Sequence, residues 1–105
     1  MYRVILKDIP KKDQEKEYIA QWQKGSDVIQ TYPGALGTKL FRKADEPGVI
    51  YAIADWVSRE DRKSAFEKIR KERPDAEEVL SKFKDFLESR ETIAEYELVA
   101  ESPSK

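Results

Sequence analysis

Residues Val49 to Val57 read VIYAIADWV, an apolar run broken by one carboxylate. In an extended chain, successive side chains point to opposite faces. Val49, Tyr51, Ile53, Asp55 and Val57 then share one face, and Ile50, Ala52, Ala54 and Trp56 share the other. Both faces are largely apolar. Any fold that takes this strand has to cover it twice.

The rest of the chain supplies cover for only one side. Tyr2 to Ile9 alternates and is rich in β-formers, which predicts a strand ended by Pro10 and two lysines. Asp13 to about Thr31 reads as a helix. Tyr18, Trp22, Gly25, Ile29 and Tyr32 recur there at spacings of three and four, and Ile19 and Val28 widen the stripe. Tyr32-Pro33-Gly34 stops this helix. A second strand, about Ala35 to Arg42, joins Val49–Val57 as a hairpin through the turn Asp45-Glu46-Pro47-Gly48. Ser58 with Asp61 has the form of a capping box, opening a helix that turns Ala65, Phe66 and Ile69 inward. Arg73-Pro74 breaks that helix. Asp75, with Glu78, is expected to cap a further one whose apolar face is Val79, Leu80, Phe83, Phe86 and Leu87. A last strand is expected from about Thr92 to Val99, and residues 102–105 are expected to be disordered.

The order strand, helix, strand, strand, broken helix, strand is the split βαβ pattern of an α+β, ferredoxin-like domain with a four-stranded antiparallel sheet. It takes up residues 1–101, consistent with one domain in a 105-residue chain. Helices cover one face of such a sheet. The other face is then an apolar surface of the kind that marks an interface, and a homodimer through that sheet face is expected.

Composition excludes more than it assigns. The chain has no cysteine and no histidine, so there is no thiolate nucleophile, no disulfide and no imidazole base or metal ligand. Twenty basic against 21 acidic side chains argue against nucleic acid as a partner, because phosphate contacts need clustered cations. No apolar run reaches the roughly 18 residues of a membrane helix, and no membrane partner or secretory leader is read, so a cytoplasmic location is expected. Glu95, Glu97 and Glu101 alternate along the last strand; charges there more often guard a sheet edge than hold a metal, and no metal site is expected. Phosphate-binding and nucleophile-elbow motifs are absent.

Several residues remain as candidates for chemistry. Trp56 either offers an indole to a flat ligand or fills the core beneath the first helix. Ala52 and Ala54, small and on its face, leave room for a ligand or let that helix approach. Trp22 and Tyr32 lie on the inner stripe of the first helix, as core or as pocket wall. Tyr51 and Asp55 share the opposite face. A buried Asp55 needs a partner, expected from Lys7, Lys39 or an arginine of a second copy, unless it acts as a base. Arg59 belongs to a locally basic helix.

The segment Tyr32-Pro33-Gly34-Ala35-Leu36-Gly37, with Ala54-Asp55-Trp56-Val57-Ser58-Arg59-Glu60-Asp61 leading to Ala65-Phe66, resembles the antibiotic biosynthesis monooxygenase family. The resemblance implies a dimeric α+β barrel. Some members oxidise phenols or quinols with dioxygen and no cofactor, and others degrade haem. Trp56 matches the tryptophan of both groups. The histidine and asparagine of the haem-degrading members, and the asparagine of the phenol-oxidising ones, have no counterpart, since the chain contains neither residue. The resemblance therefore implies oxygenation of a small aromatic compound without a cofactor. Trp56, Tyr51 and Asp55 are its candidate catalytic residues, and Tyr32, Trp22, Ala52 and Arg59 its candidate substrate contacts. Two other readings stay open: a non-catalytic homodimer that binds a small hydrophobic ligand or a protein partner, and an isomerase or lyase using Asp55.

Overall fold

A computed structural model describes all of residues 1–105. Strand β1 spans Tyr2–Pro10, helix α1 Glu15–Ile29, β2 Ala35–Arg42, β3 Ile50–Trp56, α2 Arg59–Glu72, α3 Pro74–Ser81 and β4 Leu87–Glu97, with a 3₁₀ turn at Lys82–Phe86 before β4. The sheet order is β2-β3-β1-β4, with every neighbouring pair antiparallel. This is the expected ferredoxin-like arrangement. No helix is long and apolar enough to cross a membrane.

The register divides the sheet into two faces. Tyr2 pairs with Trp56, Val4 with Ala54 and Leu6 with Ala52, and these side chains face the helices. Arg3 pairs with Asp55, Ile5 with Ile53 and Lys7 with Tyr51, and these face away. Phe41 of β2 lies beside Tyr51, and Ala94 of β4 beside Ile5. Phe41 and Tyr96 are about half exposed, at 51% and 55%. The helix-covered face holds two core clusters. Tyr2, Val4, Trp56 and Ala65 form one; Tyr18, Ile50, Phe83 and Leu87 form the other.

Local signals explain most element ends. The Ser58 hydroxyl accepts the Asp61 amide at 3.1 Å and caps α2 as expected, a contact that contributes about 1 kcal/mol. Gly34 has φ +87°, and a Cβ there would run into the Asp61 carboxylate. Its carbonyl accepts the Val57 amide at 2.8 Å, which ties the end of β3 to the Pro33-Gly34 turn. Gly25 marks a close approach: a Cβ would lie 3.0 Å from Phe83 and 3.1 Å from Leu80.

Three expectations are corrected. Helix α1 starts at Glu15 rather than Asp13, which takes a positive φ of 64°. Arg73, not Asp75, holds the cap position of α3; Pro74 is the first helical residue, where its missing amide costs nothing, and Asp75 instead takes the Arg73 guanidinium. Phe83, Phe86 and Leu87 do not extend α3. The first two belong to the 3₁₀ turn and Leu87 opens β4, five residues before the expected start.

Candidate functional site

Small residues on β3 open a space under the helices. Ala52 and Ala54 leave a cavity of about 300 Å³ between the sheet and the helical layer. Trp22 of α1, Phe66 of α2, Leu80 of α3 and Phe83 of the 3₁₀ turn wall it, with Trp56 at one side. Most of the lining is apolar. Its polar groups are the hydroxyls of Ser26 and Thr38, 2.7 Å apart, and the guanidinium groups of Arg62 and Arg90. No Asp or Glu lines it.

Arg90 belongs to a buried network absent from the sequence reading. Asp8 is fully buried, and its two oxygens accept Arg90 Nε and Nη2 at 2.7 Å each. The Tyr18 hydroxyl donates to the same carboxylate. Burial, then the bond to Asp8, pushes the Tyr18 hydroxyl well above the usual phenol range. Arg90 also lies 4.9 Å from the centre of the Phe83 ring. The network ties β1, α1 and β4 together and fixes Arg90 at the cavity wall. The alternation of β1 held the signal: Tyr2, Val4, Leu6 and Asp8 share a face, so a carboxylate stood on the buried side and required a partner.

The sheet separates the sequence candidates. Trp56, Ala52, Trp22 and the small Ala54 meet at the cavity. Trp56 is only 1% exposed and packs in the core against Phe66, with ring centres 6.3 Å apart. It forms a wall of the cavity rather than an open stacking surface; Trp22 and Phe66 are the partly exposed rings. Tyr32 packs against the cluster that holds Trp56 and does not line the cavity. Tyr51 and Asp55 lie on the opposite face of the sheet. Asp55 is held by Arg3 of its own chain, through Nε at 2.7 Å and Nη2 at 2.8 Å, and not by Lys7 or Lys39. Direct cross-strand pairing puts Arg3 opposite Asp55.

Arg59 is exposed and lines an open basic vestibule with Lys63 and Arg70 rather than the cavity. One turn further along α2, Arg62 lines both spaces. Glu95 faces this vestibule and accepts the Tyr2 hydroxyl. Glu101 falls beyond β4, and no group of three or more acidic side chains is arranged to hold a metal ion.

Residues 1–73 match the family model described as antibiotic biosynthesis monooxygenase. No curated protein matches the sequence significantly. Among solved structures, the fold is similar to SnoaB, a cofactor-independent oxygenase from Streptomyces nogalater, with a TM-score of 0.77 at 13% identity over 98% of this chain and 97% of that one. It is also similar to a NIPSNAP domain protein from Burkholderia xenovorans, with a TM-score of 0.76 at 14% identity over 99% and 100% of the two chains. A conserved protein from Methanosarcina mazei gives 0.73 at 14% identity over 90% and 89%. At these identities the likeness is one of fold.

Proposed function

The chain belongs to the antibiotic biosynthesis monooxygenase family, and from that premise we propose that it is a cofactor-independent monooxygenase acting on a small aromatic substrate of phenol or quinol type. The observation that carries this reading is the apolar cavity above Ala52 and Ala54, walled by Trp22 and Phe66. Its shape and lining suit a flat ring system. Trp56 supports the wall from the core, and Trp22 is the ring that such a ligand meets.

The chemistry asks little of the protein. An ionised phenol passes an electron to dioxygen, and the resulting radical and superoxide combine to a peroxide. Loss of water leaves a carbonyl: one oxygen atom stays on carbon, and the other leaves as water with two hydrogens of the substrate. The protein's part is to hold the ring, exclude bulk water and favour the anion. No carboxylate lines the cavity, so the substrate proton leaves to solvent and Arg62, the lining cation without a carboxylate partner, favours the ionised form. Tyr51 and Asp55, on the far face, have no part in this step.

The second sheet face completes the proposal. Ile5, Ile53, Tyr51 and Phe41 form an apolar patch without cover from the helices, and we assign it to a homodimer packed sheet to sheet.

The test is oxygen consumption with a panel of hydroquinones and polyphenols. Uptake above the spontaneous rate is expected, and Ala54→Leu, which fills the cavity, should abolish it. Absence of uptake from compounds that bind would instead favour a non-catalytic ligand-binding dimer, a reading supported by the lack of a titratable base in the cavity. The Arg3–Asp55 pair argues against an isomerase or lyase built on Asp55.

A further inference from the structure

The chain has seven arginines. Arg3, Arg42, Arg73 and Arg90 are each held by a carboxylate of the same chain. Arg59 and Arg70 are unpaired but exposed, where water solvates them. Arg62 alone is unpaired and half-buried. Its guanidinium carbon stands 5.3 Å from the centre of the Phe66 ring, at the junction of the apolar cavity and the basic vestibule. The ring face offsets part of the lost hydration, but it accepts none of the five hydrogen bonds a guanidinium can donate. Burial, and then Arg59 nearby, lower its proton affinity, while it stays charged at neutral pH. Arg59, Lys63 and Arg70 surround the approach, against Glu60 and Glu95, and Glu95 already takes the Tyr2 hydroxyl.

A half-buried cation without a partner is costly to the free protein and favourable to an anion that reaches it. We propose that Arg62 is a specificity residue, docking an oxyanion substituent of the aromatic ligand so that the rings fill the cavity and the charge stops at its mouth. The substrate class is then an aromatic acid rather than a neutral phenol. This rests on the cavity being the aromatic site, as argued above.

The two ideas separate with a matched pair of fluorescent probes. 8-Anilinonaphthalene-1-sulfonate carries a sulfonate; N-phenyl-1-naphthylamine has the same rings without it. The wild-type protein is expected to bind the sulfonate on the order of tenfold more tightly, as one charge-assisted contact provides. Arg62→Met should remove that preference and leave the neutral probe unchanged, while Arg62→Lys should retain part of it. Arg42→Gln, at a residue that lines neither space, should alter either probe less than twofold. Ala54→Leu should expel both. Equal wild-type affinities would overturn the role of Arg62 and leave the aromatic cavity standing. Equal losses of both probes in Arg62→Met would make Arg62 a packing residue and overturn it likewise. Failure of both probes to bind, or binding of both that Ala54→Leu leaves unchanged, would overturn the cavity reading and this inference together.

Discussion

Two aspartate–arginine pairs bind this sheet, one on each face. Asp8 with Arg90 and Asp55 with Arg3 are both two-pronged, at 2.7–2.8 Å. They differ in their surroundings. Asp8 is 0% exposed and also takes the Tyr18 hydroxyl; the Asp55 side chain is 19% exposed and its arginine 40%. Equal geometry therefore carries unequal consequence. In the first pair, removing the arginine leaves a carboxylate where water cannot reach it. In the second, solvent takes over most of what is lost. The contrast holds only while the second face is open, so the pairs also report on whether the sheet is covered.

The largest effect is expected from Arg90→Met, which leaves the fully buried Asp8 carboxylate without its cation. A loss of about 3–5 kcal/mol, the range for breaking a buried pair, should be seen in urea denaturation. Replacing both partners, Asp8→Leu with Arg90→Met, should recover most of it. A loss below 1 kcal/mol in the single variant would erase the distinction between the faces.

Tyr18→Phe should cost about 1–2 kcal/mol at neutral pH, since Asp8 keeps Arg90 but loses a donor. It also has a pH signature. The folded Tyr18 hydroxyl holds its proton more tightly than the unfolded one, so its contribution is complete below about pH 10 and declines as pH rises through the folded value. Above about pH 10 the unfolded chain binds fewer protons, and stability falls by about 1.4 kcal/mol per pH unit from this group. The wild-type minus Tyr18→Phe difference should therefore shrink with rising pH, as measured by denaturation at pH 8 to 11.

The smallest effect is expected from Asp55→Asn: under about 1 kcal/mol in dilute protein, as for exposed pairs. The cost should grow with protein concentration if two copies cover the pair. Ile5→Asp, in the middle of the same face and outside the cavity lining, should lower the mass seen by sedimentation without changing probe binding in the cavity. An unchanged mass would count against the sheet-to-sheet dimer.

The sheet was legible because its strands are patterned in the simplest way. The β2 bounds emerged from Pro33-Gly34 and the following turn, and β3 from its unbroken apolar run. The Ser58 cap and the Pro74 break were also readable, since both act within a few residues. The region after Leu80 was not. Phe83, Phe86 and Leu87 mimic a helical stripe, yet a tight turn aims the first into the core and a strand takes the last. Site residues were harder for the same reason. That Trp56 and Ala52 share a face follows from alternation, but which arginine of α2 turns inward depends on how that helix lies on the sheet. Arg59 and Arg62 are equivalent in sequence and differ only in tertiary setting. Asp8 was visible in the alternation of β1; its partner, 82 positions away, was not.

That separation has a consequence for how the chain acquires its shape. β1 is synthesised first and lies in the interior of the sheet, between β3 and β4. Its carboxylate has no cation until Arg90 has left the ribosome. A nascent chain ending anywhere before β4 carries an interior strand with one edge bare and an unneutralised acid on its inward side. The domain therefore locks late and nearly at once, when its most distant segments meet, and loop closure over that span is the step that chain entropy opposes most. Until then, the half-built sheet exposes apolar surface and an unpaired strand edge, the features that make partly folded chains prone to aggregate.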